Sequence, residues 1–317
     1  MFGGSLTLLA TLGVILSSSL AALLAAATLF GAGEVVTAAA GAALLAESTR
    51  EDTRTRTFGL SFAAVSAAYF IANVIGGRAA APLAAALGRG EHDVLVLRML
   101  LASAAVIGAS SSIPILLLGS RERPPHVDAP RSWSVLARFA LVNTCFGFGA
   151  GSFLPYLNLF FAERFGLDFA SVGIALGAVN IAGGLGGIVH TNLVPRLGLA
   201  RALVVFWSAS LPLAIAGGFA PSVAIAVAAL VGRGVLMSAA VPAMDAFTIS
   251  AFRPQERTGA QAVITTMWLI AYGAGAFVSG LVRSALGDPG FTVNLLTLAA
   301  SYVLAIVSFA LAFGRSR

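Results

Sequence analysis

The stretch LFGAGEVVTAAAG, residues 29–41, has a second, altered copy in LVGRGVLMSAAVP, residues 230–242. At the same shift of 201 residues the dipeptide Arg-Thr repeats without a gap, at 56–57 and at 257–258. Both copies continue in the same order, with a charged loop, a second long apolar run and a final apolar run. The shift also aligns two pairs of glycines, Gly31 with Gly232 and Gly33 with Gly234. The chain is therefore predicted to contain an internal repeat.

The composition is that of an integral membrane protein. Hydrophobic residues make up 58% of the chain, charged residues make up 10%, and the mean hydropathy is +0.94. Apolar runs of about 20 residues are long enough to cross a bilayer as helices. All 19 basic residues are arginines, and all but Arg233 are assigned to the turns between the apolar runs or to the flanks of those turns. The net charge of +6 therefore indicates orientation in a membrane and argues against nucleic-acid binding.

The apolar runs predict an all-α fold with ten membrane-spanning helices. If residues 47–56, 119–134, 193–198, 252–258 and the C-terminal tail face the cytoplasm, these segments and their flanks hold thirteen of the 19 arginines. This asymmetry predicts that both termini are cytoplasmic. The expected spans are 4–17, 20–46, 57–82, 95–118, 135–161, 169–192, 199–218, 222–251, 259–284 and 290–314.

Three cytoplasmic loops resemble loops of the major facilitator superfamily. FRPQERTGA, residues 252–260, is similar to the loop between the tenth and eleventh family helices, and ESTREDTRTRTFG, residues 47–59, is similar to the loop between the fourth and fifth. VPRLGLAR, residues 194–201, resembles the loop between helices eight and nine, with Pro195 at the position of the family's acidic residue. The resemblance implies gating roles for residues of these loops, namely Arg56, Arg196, Gly198 and Arg257.

The resemblance also implies a division into two pseudo-symmetric halves. Residues 1–118 would form an incomplete N-terminal half with family helices 3–6, and residues 119–134 a cytoplasmic linker. Residues 135–317 would form the six-helix C-terminal half with family helices 7–12. The shift of 201 aligns residue 1 with residue 202, at the start of the seventh span, so we expect the first two family helices to be missing. The alternative is a true ten-span protein.

Two opposite charges lie inside predicted spans. An ionisable group near the bilayer centre costs about 2.5–3.5 kcal/mol on insertion scales and usually faces a cavity or a partner. The shift places Arg233 opposite residue 32, two positions from Glu34. On family helices that line the central cavity, these two side chains are predicted to face each other, with protonation of Glu34 releasing Arg233. The alternative is a static ion pair that fixes helix packing.

Further polar residues are candidates for the cavity. Asp245 lies nearer the cytoplasmic end of the same span as Arg233. Asn143, Tyr156 and Asn158 lie on the fifth span, where they could bind a substrate or bond neighbouring helices. The glycines of GFGAGSF, residues 147–153, are interpreted as helix-packing positions, because no strand precedes them.

The predicted function is secondary active transport. No motif typical of an enzyme, a metal site or a cofactor site occurs, and the expected partners are a small organic solute or drug-like compound, protons and the lipid bilayer. ANVIGG, residues 72–77, keeps the terminal glycines of the family's drug-antiporter pattern, but Asn73 in place of its proline weakens the case for a multidrug antiporter. Export is favoured over uptake. The expected protein is a monomer in the inner membrane of a bacterium. The alternatives are a transport-inactive sensor or scaffold, and a fragment of a longer transporter.

Overall fold

The computed structural model describes residues 2–17, 19–49, 54–110, 132–253 and 255–314, and every regular element in them is a helix. The helices are α1 Phe2–Leu16, α2 Leu20–Ser48, α3 Arg54–Leu87, α4 Val94–Ser110, α5 Trp133–Phe153, α6 Leu157–Phe165, α7 Phe169–Leu197, α8 Leu199–Gly218, α9 Val223–Ala251, α10 Arg257–Leu286 and α11 Pro289–Phe313.

Seven helical stretches in the described residues are long and apolar enough to span a bilayer. They are Ala63–Leu87, Trp133–Phe165, Phe169–Leu197, Leu199–Gly218, Val223–Ala251, Arg257–Leu286 and Pro289–Phe313. Three more apolar helical stretches, Gly4–Leu16, Ala21–Gly33 and Val94–Gly108, are shorter. The all-α membrane class is therefore confirmed, while ten spans stay a prediction.

Local signals set the ends of several helices. Asp168 caps α7, where its carboxylate accepts a 2.9 Å hydrogen bond from the backbone N–H of Ser171. Hydrogen bonds from the side chain and backbone of Ser171 hold the pKa of Asp168 below its usual range. A 3₁₀ turn, Leu154–Tyr156, separates α5 from α6, and Pro155 lies within it. Proline cannot donate a backbone hydrogen bond, so the long fifth span is interrupted there.

The chain divides into two compact units. The first comprises Met1–Ser61 and Ile75–Pro124, and the second comprises Phe62–Val74 and Pro125–Arg317. The predicted linker at 119–134 lies almost entirely outside the described residues, so the predicted division of the chain stays a prediction. Within the second unit, α10 and α11 pack along α5, and α9 packs along both α7 and α8.

The helix bounds follow the repeat. Adding 201 to the bounds of α2 gives 221–249, close to α9 at Val223–Ala251. The same shift carries α1, α3 and α4 onto α8, α10 and α11. The packing also corresponds, because α1 contacts α2 and α4 in the first unit as α8 contacts α9 and α11 in the second. The order and bounds of α1–α4 therefore match those of the last four helices.

Glycines bring α5 and α10 into backbone contact. A Cβ atom on Gly151 would lie within 2.0 Å of the Tyr272 carbonyl oxygen, and one on Gly147 within 2.3 Å of the Trp268 carbonyl oxygen. From the opposite side, a Cβ on Gly275 would lie 2.2 Å from the Phe148 carbonyl oxygen. The packing interpretation of the GFGAGSF glycines is confirmed, since no side chain fits at these positions.

Candidate functional site

A cavity of about 220 Å³ lies within the second unit, and α5, α8, α9 and α10 all contribute to its wall. One part of the wall is polar and another is aromatic. Asp245 is the single charged side chain among the lining residues that the structure describes. The lining residues are Asn143, Phe146, Trp207, Met237, Ala240, Val241, Met244, Asp245, Thr248, Gln261, Ile264, Thr265 and Trp268.

The polar part of the wall is built around a carboxylate and a carboxamide. Gln261 Nε2 on α10 donates a 3.1 Å hydrogen bond to Asp245 Oδ1 on α9. The other end of the amide, Gln261 Oε1, is buried and has no hydrogen-bond donor among the described residues. Asp245 makes no ion pair with any described residue. The cavity therefore presents oxygen acceptors and a negative charge that its own wall does not neutralise.

The rings in the aromatic part of the wall pack against other aromatic rings. Phe146 and Trp207 lie with ring centroids 4.6 Å apart, and Trp268 stacks on Tyr272 at 5.1 Å with 22° between the ring planes. The rings of Phe146, Trp207 and Trp268 all contribute to the cavity surface. Each of these rings therefore packs against at least one other aromatic ring.

The fifth span contributes one of its three predicted candidates to this cavity. Asn143 lines it, with Nδ2 donating 2.9 Å to the Phe139 carbonyl oxygen one turn earlier. Tyr156 is not among the lining residues, and its hydroxyl donates 2.9 Å to the Ala276 carbonyl oxygen on α10. Asn158 lies on α6 with an exposed side chain and is likewise not among the lining residues.

Arg233 is buried in the core of the second unit. Its side chain is 6% exposed, and Nη2 donates a 2.7 Å hydrogen bond to the Tyr302 hydroxyl on α11. The guanidinium carbon also lies 5.5 Å from the centre of the Tyr302 ring, and Nε has no partner among the described residues. Tyr302 in turn packs edge-on against Phe146, whose ring lines the cavity. Arg233 thus lies one aromatic layer behind the cavity wall.

The predicted partner of Arg233 is Glu34. Glu34 lies on α2, but its side chain is outside the described part of the structure, as is the side chain of Arg56 on α3. The Glu34–Arg233 pair and the gating role of Arg56 therefore stay predictions.

The other loop residues have defined places in the second unit. Gly198 joins α7 to α8 with φ +78° and ψ 155°, a conformation that favours glycine. Arg257 Nε donates 3.3 Å to the Phe252 carbonyl oxygen at the C-terminal end of α9. Arg196 is exposed in the last turn of α7. Each of these residues lies at a helix end, and their gating roles stay predictions.

Several lining residues were missed by the sequence analysis, Gln261 above all. The signal was present, because Gln261, Thr265 and Trp268 follow one another at spacings of four and three residues along α10. Side chains at this spacing share one face of a helix. A polar face within an apolar span marks a surface that is turned away from lipid.

Solved transporter structures have the same fold. A bacterial homologue of the human lysosomal transporter Spinster, in an inward-facing and occupied conformation, matches with a TM-score of 0.72 and 16% identity, over 98% of this chain and 81% of that chain. FucP, a Major Facilitator Superfamily transporter in the outward conformation, matches with a TM-score of 0.61 and 17% identity, over 100% and 82% of the two chains. A bacterial metal transporter matches with a TM-score of 0.64 and 14% identity, over 99% and 84%.

The family follows from the sequence itself. Residues 1–232 match the family model of the Major Facilitator Superfamily, which is well over half of the chain. The chain therefore belongs to the Major Facilitator Superfamily, and it is an integral membrane transporter, not an enzyme. No curated protein matches the chain.

Proposed function

We propose that the protein is a secondary active transporter that moves a small organic solute by alternating access, coupled to protons and in the direction of export. The observation that carries the proposal is the position of Asp245 in the wall of the second unit's cavity, with a neutral amide as its partner. An ionisable residue inside a membrane protein usually serves transport when it faces a cavity.

Asp245 is suited to carry the proton because no ion pair with a described residue holds it in the ionised state. Its hydrogen-bond partner is Gln261, and the lining residues contributed by α5, α8, α9 and α10 include no other titratable side chain. Protonation therefore breaks no ion pair within the cavity. By contrast, a salt-bridged carboxylate would resist protonation at any physiological pH.

The arrangement in the membrane is part of the same proposal. We place all ten helical segments across the bilayer, with both termini in the cytoplasm, in the inner membrane of a bacterium. The arginine asymmetry supports this orientation. The family resemblance supports a monomer as the transporting unit.

Proton flux in proteoliposomes tests the proposal. The purified chain is reconstituted with the pH indicator pyranine inside, and permanently charged or neutral probes that cannot carry protons through lipid are added outside: benzyltrimethylammonium, benzenesulfonate and glucose. One of these probes is expected to drive a pH change that depends on the protein. Asp245→Asn, which keeps the size and hydrogen bonding of the side chain but cannot ionise, should reduce that change at least about tenfold.

The matched control is Asp288→Asn. This is the same chemical change at a side chain that is 92% exposed, outside the cavity, and it should leave the flux unchanged. If Asp245→Asn retained the full probe-driven flux, proton coupling through Asp245 would be excluded. Probe binding without any proton or solute flux would favour the alternative function, a transport-inactive sensor.

A further inference from the structure

The hydrogen-bond acceptors in the cavity wall indicate which kind of ligand could bind there. While Asp245 is ionised, it sets the orientation of the Gln261 amide, because a flipped amide would place a second acceptor oxygen 3.1 Å from Asp245 Oδ1. Gln261 Oε1 is therefore the atom left buried without a donor among the described residues. A buried acceptor without a donor is costly, and a ligand that supplies the donor recovers that cost.

The ligand that supplies this donor must also neutralise the negative charge of Asp245. The carboxylate of Asp245 is the single charged group in the described lining, so an anionic ligand would meet a negative charge without compensation. A neutral alcohol could donate one hydrogen bond but would leave the charge unpaired. A primary ammonium group offers a positive charge and three N–H donors in one small head, which matches both requirements.

The rest of the wall suits an apolar body with a positive end. Phe146, Trp207 and Trp268 present aromatic surfaces, and ring faces attract cations within about 6 Å of their centres. Met237 and Met244 add polarizable thioethers that adapt to ligands of different outline. No arginine belongs to the described lining, so nothing in it repels a cation.

We infer that the cavity binds a primary organic ammonium ion with an aromatic or aliphatic body, its head held by Asp245 and Gln261. This substrate class rests on the proposed transport function. The carboxylate can hold either a proton or the ammonium ion. Binding of the cation therefore releases the proton from Asp245, and return of the proton releases the cation. One proton is exchanged for one monovalent cation at a single group.

Equilibrium binding tests the substrate class separately from transport. Tritiated 2-phenylethylammonium is bound to the purified full chain in a scintillation proximity assay at neutral pH. Three competitors share its ring and differ at the head: 2-phenylethanol, phenylacetate and trimethyl(2-phenylethyl)ammonium. Saturable binding is expected, with the alcohol and the carboxylate at least about tenfold weaker than the primary ammonium. The trimethylated ion, which keeps the charge but has no N–H, should lie between them.

Variants then locate the site. Asp245→Asn should weaken cation binding at least about tenfold, and Gln261→Leu several-fold, while Asp288→Asn should bind as the unaltered protein does. The ligand series on the unaltered chain decides the matter even if a variant fails to fold. Absence of saturable binding by 2-phenylethylammonium, or equal competition by phenylacetate, would overturn the inference. Cation binding without proton flux would instead support the inferred substrate class and contradict the proposed transport function.

Discussion

Helix α9 carries two charged side chains, and their surroundings differ. Arg233 is buried and donates to the Tyr302 hydroxyl within the packed core of the second unit. Asp245 lines a cavity, and its partner there is the neutral amide of Gln261. Each charge would cost about 2.5–3.5 kcal/mol in a span on insertion scales. One nitrogen of the arginine is hydrogen-bonded within the packed core, whereas the aspartate faces a cavity with room for a ligand.

The difference separates two reasons for keeping a charge in a membrane. We expect a buried charge that is hydrogen-bonded within one packed unit to serve the fold, and replacing it together with its partner by apolar residues of similar volume is often neutral. A charge at a cavity wall without a counter-ion serves binding, and no neutral residue can replace it. On this basis we predict that Arg233 serves packing and that Asp245 serves the site.

The largest expected effect is a contrast between Arg233→Met and Asp245→Asn in proton flux. Methionine fills the arginine's volume without a charge, so Arg233→Met should keep probe-driven flux within about twofold of the unaltered protein. Asp245→Asn should lose at least about tenfold, since the proton-binding group is gone. Both are measured with pyranine-loaded proteoliposomes at equal protein content.

The same assay includes Glu34→Gln, because the sequence predicts that Glu34 and Arg233 act as a pair. If Arg233→Met and Glu34→Gln both lost flux while Asp245→Asn kept it, the coupling role would belong to the predicted pair. The comparison between the two charges of α9 would then be reversed.

A smaller effect is expected on stability when Arg233 loses its acceptor. Tyr302→Phe removes the hydroxyl that accepts the 2.7 Å hydrogen bond and leaves Nη2 of the buried guanidinium without an acceptor among the described residues. The expected loss is about 1–3 kcal/mol, seen as a lower Tm in detergent with cation binding retained.

The double variant Arg233→Met with Tyr302→Phe provides the control for this prediction. Because it removes both partners of the hydrogen bond, it should be more stable than Tyr302→Phe alone. A double variant less stable than either single variant would show that the two side chains do not depend on each other.

The smallest effect on stability is expected for Asp168, whose side chain is exposed to solvent. The pKa of Asp168 is lowered by its hydrogen bonds with Ser171, so the folded chain binds its proton less readily than the unfolded chain. The stabilisation is present above the ordinary pKa of 3.8 and is lost as the pH falls through the lower folded value. Asp168→Ala should lower Tm slightly at pH 7, and this difference from the unaltered protein should shrink in acid. Asp168→Asn, which still accepts a hydrogen bond, should lower Tm less than Asp168→Ala does.

Much of the fold could be predicted from hydrophobic pattern and punctuation. The expected span 222–251 differs by one residue from α9, and the expected span 199–218 has the bounds of α8. The repeat could be found in the sequence because the same shift of 201 residues relates the helix bounds of the two copies. Asp245 and Asn143 could be proposed as cavity residues because polar groups in apolar spans are costly unless they face a cavity or a partner.

The direction in which each side chain points was harder to predict. The sequence places Arg233 and Asp245 on one helix, but the rotation of that helix against its neighbours decides which side chain meets the core and which the cavity. That rotation depends on packing by α7 and α8, which periodicity alone does not give. Tyr302 lies 69 residues from Arg233, and no local signal connects the two.

The contact between α5 and α10 has a consequence at the level of the gene. A single-nucleotide change can turn any glycine codon into a codon for one of several other amino acids. At Gly147, Gly151 or Gly275, each such missense change adds at least a Cβ atom. That atom would lie 2.0–2.3 Å from a carbonyl oxygen of the facing helix. These three codons therefore tolerate silent changes and little else, so a survey of random mutants that still insert into the membrane should find them almost unaltered at the protein level.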